Sequence, residues 1–295
     1  MRPLPPSALL LIALSSGACQ APAPAPPRPT AGPRVVAMGD LHGDLEHTQQ
    51  ALRLAGLLDA AGHWSGGDTT LIQTGDMLDR GDRTREVLAL MRRLQGEAAA
   101  AGGRVVALLG NHEVMNLQAD WRYVSPGDLA GYGGEAARRA AFGPEGEDGA
   151  WLRGLPVAHR EGRTIFVHGG VTPQAAALGL EALNARFHTA LQGVDEPDLL
   201  GREGPTWYRG HLLGHVTEAC TDAQSALASL GAARMVMGHT TQDDGHIAAR
   251  CQGAVLGIDV GLSDHYGAHV AALELRGDDA WALYPAGPQD LPDPP

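Results

Sequence analysis

Short apolar runs along this chain alternate with longer mixed segments, and the five most apolar all stop at glycine or histidine. They are residues 35–38, 71–74, 105–109, 165–167 and 235–237. Runs this short, bounded by glycine, read as buried strands. Residues 45–58, 84–100, 134–142, 181–193 and 222–230 between or beside them read as helices. Residues 156–160 and 163–167, joined by Glu161-Gly162, form a hairpin pattern, and residues 254–259, 269–276 and 280–284 read as antiparallel strands. Strand–helix units followed by a strand-rich part predict an α/β fold: a two-sheet sandwich flanked by helices, in one domain spanning residues 34–285. Residues 143–149 are expected to form an exposed loop and residues 286–295 a loose acidic tail.

Composition removes several chemistries. The chain has 295 residues, a net charge of −12 and 22 basic residues, every one an arginine. Without lysine there is no Gly-Lys-Ser/Thr phosphate loop and no Schiff-base nucleophile. The acidic balance excludes a broad nucleic-acid surface as a partner site. It leaves arginine as the only side chain of fixed positive charge.

The first thirty-odd residues are set apart from the fold. Arg2, the apolar stretch 8–14 and Ser16-Gly17-Ala18 make a signal-peptide pattern over residues 1–18. The stretch is short for a permanent membrane span. A Pro/Ala tether at residues 19–33 follows. Export is expected, to the periplasm or to a lipid anchor at the cell envelope. Cys19 sits where a bacterial lipoprotein is lipidated, although Ser16 replaces the leucine usual three residues earlier, so plain cleavage stays open beside it. Contact with membrane is expected only through that lipid. Three cysteines are an odd number, and setting Cys19 aside leaves Cys220 and Cys251 as a candidate disulfide around the segment containing His239.

The chemistry gathers where the strands end. The sequence reads Gly39-Asp40-Leu41-His42-Gly43, Gly75-Asp76-Met77-Leu78-Asp79-Arg80-Gly81, Gly110-Asn111-His112-Glu113, His168-Gly169-Gly170 and Gly238-His239-Thr240. In open α/β sheets the ligand site lies beyond the carboxyl ends of the strands. Asp40 and His42, two residues apart, can face one ion, and Asp76 can bridge two through its two oxygens. Asn111 adds a neutral oxygen, and His168 and His239 add imidazoles. Mixed nitrogen and oxygen ligation without thiolate suits two divalent transition-metal ions, manganese first, with iron, zinc or cobalt as alternatives. Such a pair clamps a phosphoryl group and activates water. A lone strand-end Asp or His usually caps a turn; six in this order do not.

These motifs resemble the series of the PPP-type phosphatases in the calcineurin-like metallophosphoesterase superfamily. Tyr123-Val124-Ser125-Pro126-Gly127-Asp128, Trp207-Tyr208-Arg209-Gly210 and Met237-Gly238-His239-Thr240-Thr241-Gln242 are more similar to the bacterial Shewanella-like branch than to the eukaryotic Ser/Thr enzymes. The resemblance covers nearly all of residues 34–267. It implies that Asp40, His42 and Asp76 hold one ion, and that Asp76, Asn111, His168 and His239 hold the other. It implies His112 as the general acid oriented by Asp79, and Arg80 and Arg209 as phosphate clamps. Thr241 and Gln242 after His239-Thr240 show that the Gly-His-x-His ending of many superfamily nucleases is absent.

The expected activity is that of an exported phosphomonoesterase acting on phosphoproteins or phosphopeptides. A dinucleoside polyphosphate hydrolase shares the early motifs, and a nucleotide assay panel separates the two. A metal-stabilised binding module is the non-enzymatic alternative, disfavoured because every catalytic position is filled. Glu113 is expected to organise its loop rather than react. Asp259 is open between a supporting and a purely structural role, residues 121–128 and 132–134 are candidates for the substrate mouth, and His211, His215 and His265 for the rim. Oligomeric state is not legible.

Overall fold

A computed structural model describes residue 1 and residues 32–295. The signal segment, the tether through residue 31 and Cys19 lie outside the described residues. The chain runs β1 (Val35–Met38), α1 (Leu45–Leu54), β2 (Thr70–Gln73), α2 (Thr84–Ala100) and β3 (Arg104–Ala107). Four helices follow: α3 (Asn111–Leu117), α4 (Pro126–Gly131), α5 (Glu135–Phe142) and α6 (Glu147–Arg153). The hairpin β4 (Ala158–Glu161) and β5 (Thr164–Val167) leads into α7 (Pro173–Ala176), α8 (Leu180–Leu191), α9 (Pro197–Leu200), α10 (Gly210–Leu213) and α11 (Val216–Leu230). The remaining strands are β6 (Arg234–Met237), β7 (Ala248–Arg250), β8 (Val255–Gly257), β9 (Ala272–Arg276), β10 (Asp279–Tyr284) and β11 (Gly287–Leu291).

Two mixed sheets result, in the orders β11-β10-β9-β1-β2-β3 and β4-β5-β6-β8-β7. The alternation of buried side chains explains why the runs are apolar throughout. Val35, Ala37, Phe166, Val236 and Leu256 belong to one apolar cluster, which draws on both sheets. Val36, Met38, Ile165, Met235 and Val255, their neighbours in sequence, belong to the other, which includes the helices. A strand covered on both faces has no polar side to show. The parallel trio β1-β2-β3 and the parallel trio β5-β6-β8 then end with their carboxyl ends carrying the motifs.

Several boundaries differ from the sequence reading, each for a local reason. Helix α1 stops at Leu54 because Gly56 takes a left-handed turn, φ 68°, and sends Leu57 back onto the core. Helix α11 starts at Val216, six residues before the expected position; β-branched Val216 and Thr217 hide its first turn in a propensity reading. Residues 143–149 are not an exposed loop. Helix α6 begins inside them, and Asp148 is buried between Arg92 at 2.6 Å and the Tyr132 hydroxyl at 2.7 Å. The segment 254–259 supplies β8, which runs parallel to β6 and antiparallel only to β7.

The tail is a larger correction. Residues 287–291 form β11, paired antiparallel with β10 from Gly287 opposite Tyr284 to Leu291 opposite Ala280. The buried Arg234 guanidinium donates to the Pro292 carbonyl at 3.1 Å, and to the Asp278 carbonyl at 2.9 Å. Gly253 lies so close that a Cβ there would meet the Pro292 oxygen at 2.2 Å. The tail is therefore tied to the core rather than loose.

Cys220 in α11 and Cys251, just after β7, are joined in a disulfide that closes a 31-residue separation. A cross-link stabilises mainly by restricting the unfolded chain. Replacing both cysteines by alanine is expected to lower the unfolding free energy by about 2–4 kcal/mol. Denaturant unfolding followed by circular dichroism checks this, and an unchanged midpoint contradicts it.

Candidate active site

Asp40, His42, Asp76, Arg80, Asn111, His112, Tyr123, Trp207, Arg209, His239, Thr241 and Tyr266 line one cavity of about 150 Å³. His168 is fully buried beside it, with Nε2 3.0 Å from Asn111 Oδ1 and 3.3 Å from Asp76 Oδ2. The strand ends thus bring together every metal-ligand candidate that the sequence offered.

Backbone geometry there is unusual. His42, Asp76, Asp79, Arg80 and His239 all have positive φ, from 47° to 68°. That region disfavours residues with a Cβ, and clusters of such residues persist only where the surroundings hold them. Glu113 restrains the Asp76 turn. Its fully buried carboxylate accepts the N–H groups of Asp76 at 2.7 Å, Met77 at 2.8 Å and Gly110 at 2.7 Å. It thereby ties the ends of β2 and β3 together. Gly75, at φ 100°, packs so closely that a Cβ would meet Gly110 N at 2.5 Å. Burial and the neighbouring Asp76 charge push Glu113 up to about 7, against the pull of its N–H donors.

Three imidazoles are set up as lone-pair donors by the same device. His42 Nδ1 faces the Leu78 carbonyl at 3.2 Å, His168 Nδ1 the Thr74 carbonyl at 3.0 Å, and His239 Nε2 the Trp207 carbonyl at 3.1 Å. A carbonyl only accepts, so each of those nitrogens carries the proton and the other keeps its lone pair, which at His239 Nδ1 faces Arg209 Nη2 at 3.4 Å. Burial lowers His42 to about 3, against the pull of Asp76, and lowers His239 to about 2, with His168 and Arg209 adding to it. Around His168 Nε2 the neighbours are Asn111 Oδ1 and Asp76 Oδ2, both acceptors. Acceptors converging with no donor between them fit a cation.

The carboxylates agree with that. Asp40 Oδ1 accepts the His239 N–H at 3.0 Å, and Asp76 Oδ1 accepts the His112 N–H at 2.9 Å. The second Asp76 oxygen, Oδ2, lies 3.9 Å from His42, 3.3 Å from His168 and 3.8 Å from His112. Asp76 is thus the carboxylate that lies against imidazoles on both sides, where it would be shared if two ions were bound. Burial pushes Asp40 well up, and the charges of Asp259 and Asp76 add to it. Burial alone would raise Asp76 too, but His168 and His112 hold it well down. Compact groups of ligand atoms include His42, Asp76 and His112, and Asp76, His168 and His239, with Asp76 common to both.

His112 differs from the other imidazoles. Its Nδ1 lies 2.7 Å from Asp79 Oδ2, and its Nε2 faces the cavity. Burial opposes a charged ring, yet Asp76 and the Asp79 hydrogen bond outweigh it and raise the His112 pKa. The Arg80 guanidinium carbon stacks 3.9 Å from the centre of the Tyr123 ring, and its Nε is buried without a partner. Arg209, exposed, donates to the His239 carbonyl. Both arginines line the cavity.

Other expectations are sorted by burial. Asp259 is buried behind Asp40, where it accepts from the Thr241 hydroxyl at 2.7 Å and the Gly261 N–H at 3.0 Å. Tyr132 is turned into the core, away from any mouth. His211 is fully buried against the Val171 carbonyl at 3.0 Å, so it is no rim residue. Of residues 121–128, Tyr123 reaches the cavity. Tyr266, which the sequence reading passed over, lies 4.9 Å from the His42 ring.

A buried mixed-donor set at the carboxyl ends of a two-sheet sandwich is the arrangement of the calcineurin-like phosphoesterases, and residues 33–243 match that family. The chain belongs to it. Within the family it falls in the Shewanella-like branch of the PPP-type phosphatases. It is 30% identical over 320 residues to Shewanella-like protein phosphatase 2 of Arabidopsis thaliana, covering 86% of this chain and 78% of that one. An uncharacterised protein of Schizosaccharomyces pombe is 38% identical over 268 residues, covering 85% and 80%. The crystal structure of a cold-active protein-tyrosine phosphatase from a psychrophilic Shewanella superposes with a TM-score of 0.77 at 27% identity, covering 88% and 81%.

The restraint by Glu113 can be tested apart from turnover. Glu113→Gln keeps one acceptor but sets an amide N–H₂ against backbone N–H groups. It is expected to destabilise the metal-free protein by about 1–3 kcal/mol, read from chemical denaturation. A stability equal to wild type would remove Glu113 from this role.

Proposed function

We propose that the chain is an exported, two-metal phosphomonoesterase acting on phosphoproteins or phosphopeptides, with phosphotyrosine preferred. The observation that carries the reading is the His112–Asp79 pair set beside a cation-demanding group of acceptors and two arginines. Asp40, His42 and Asp76 would hold one divalent transition-metal ion, and Asp76, Asn111, His168 and His239 the other, with manganese favoured. When bound, the pair supplies Lewis acidity on the phosphoryl oxygens and an acidified water as nucleophile.

The side chains do the rest. Arg80, held flat against Tyr123, turns its planar fork to the phosphate oxygens, where two parallel N–H donors match two oxygens. Arg209, lining the same cavity, is the second phosphate clamp. As the bond from phosphorus to the leaving oxygen breaks, His112 Nε2 gives that oxygen its proton. Asp79 keeps the Nδ1–H in place and stabilises the ring in its charged form before transfer. The rings of Tyr123, Trp207 and Tyr266 around the cavity offer faces on which a phosphotyrosine ring can stack. The tyrosine activity named for the Shewanella enzyme of similar fold supports the same preference. Export is supported by the N-terminal pattern and by a disulfide that belongs in an oxidising compartment.

Two tests separate the roles. His112→Asn is expected to keep its metal and lose roughly 10²–10⁴ in turnover, less on nitrophenyl phosphate, whose leaving group needs no proton. Asp76→Asn is expected to lose metal as well, by elemental analysis. Equal losses of His112→Asn on good and poor leaving groups would exclude the acid role.

The substrate is tested by matched peptides. Phosphotyrosine peptides are expected to show higher kcat/KM than phosphoserine peptides of the same sequence, and Trp207→Ala to narrow the gap. Faster hydrolysis of phosphoserine peptides or of dinucleoside polyphosphates would overturn the tyrosine preference and leave the phosphoesterase chemistry standing.

A further inference from the structure

Behind the His112–Asp79 pair lies a buried polar chain built on Asn116 and Arg138, which none of the motifs contains. Arg138, on α5, is fully buried. Its Nε donates to Asp128 Oδ2 at 2.9 Å, and its Nη1 donates to Asn116 Oδ1 at 2.7 Å. Asn116 passes the contact on: its Nδ2 lies 3.0 Å from Asp79 Oδ1, 2.9 Å from Asp79 Oδ2 and 2.9 Å from the His112 carbonyl. Arg138 Nη2 is also 3.6 Å from Asp79 Oδ1. The face of the guanidinium is covered by Phe142 at 4.3 Å, and Trp121 lies at 5.2 Å.

The amide has one workable orientation. Arginine only donates and an ionised aspartate only accepts, so Asn116 must turn its oxygen to Arg138 and its nitrogen to Asp79. Asn116 thereby becomes a polar relay with a fixed direction. Asp128 balances most of the Arg138 charge, so the arginine can be buried without drawing Asp79 away from His112. Asp79 also sits at φ 67°, where its own backbone does not hold it. A carboxylate in that position needs its side-chain oxygens fixed from behind if it is to aim at one imidazole nitrogen.

We infer that Asn116 and Arg138 are positioning residues that hold the Asp79 carboxylate on His112 Nδ1 and so set the direction of proton delivery. The inference rests on the acid role proposed for His112. It accounts together for a buried arginine, a buried asparagine and an aromatic cover on one guanidinium. It also places control of proton transfer on α5, outside the strand-end loops.

The experiment compares Asn116→Ala and Asn116→Asp in two backgrounds, wild type and His112→Asn, on an alkyl phosphate and on nitrophenyl phosphate. Asn116→Asp keeps the acceptor for Arg138 and nearly the same volume, and removes the donor to Asp79. Both variants are expected to lose about tenfold or more on the alkyl phosphate, a few-fold on nitrophenyl phosphate, and nothing further in the His112→Asn background. Bound metal is expected to stay at the wild-type ratio, and the low-field proton resonance of the His112–Asp79 hydrogen bond to shift or vanish. Arg138→Lys, which keeps the charge but not the fork, is expected to recover part of the activity that Arg138→Met loses. Equal losses on both substrates, or a full additional loss in the His112→Asn background, overturn the inference while leaving His112 as the acid. A His112→Asn enzyme that does not distinguish the two leaving groups overturns both.

Discussion

One carboxylate holds the catalytic loops in register. Glu113 reaches back from the first turn of α3 to three N–H groups at the ends of β2 and β3, and each of those groups sits next to a functional side chain. Asp76 carries one, Asn111 follows another, and Asp79 and Arg80 lie just beyond the third. Five functional residues share a left-handed backbone conformation, at a cost of order 1–3 kcal/mol each. Isolated loops would relax. Each strained turn is held by its own acceptor: the Asp76 N–H by Glu113, and those of His42, Arg80 and His239 by the Asp76 carbonyl, the Tyr123 carbonyl and the Asp40 carboxylate.

How much of this was legible depended on the range of each signal. The strands and their terminal Asp, His and Asn residues could be read because run, glycine and ligand are adjacent in sequence. Glu113 could be placed for the same reason, since it belongs to the turn it braces. Asn116, Arg138 and Tyr266 could not. Their roles come from approach across the fold, and each is an ordinary polar or aromatic residue until a neighbour 22 to 224 positions away is known. The tail misled for a different reason. Gly287-Pro288-Gln289-Asp290 has neither apolar alternation nor β-branched residues, so its strand exists only because β10 and Arg234 present partners.

A chain without lysine must use one cation for every purpose, and burial decides which purpose. Arg234 spends its donors on main-chain carbonyls and holds the carboxyl-terminal segment. Arg138 is sealed among aromatics and carboxylates. Arg80, stacked on one ring with a donor left over, and Arg209, bonded to the His239 carbonyl, both line the cavity. The planar fork suits each case because it can satisfy several acceptors from one rigid group.

The position of β1 bears on when the molecule can assemble. It is the first strand made, yet it lies inside its sheet, between β2 and β9. Its pairing with β2 needs only the next few dozen residues, whereas its pairing with β9 joins Val35 to Leu275. Until that distant segment exists, one edge of β1 has no partner. The large sheet therefore cannot close before β9 has been made, and pairing over so long a separation is slow. Until β9 has been made, that unpaired edge leaves the chain open to chaperones or to aggregation.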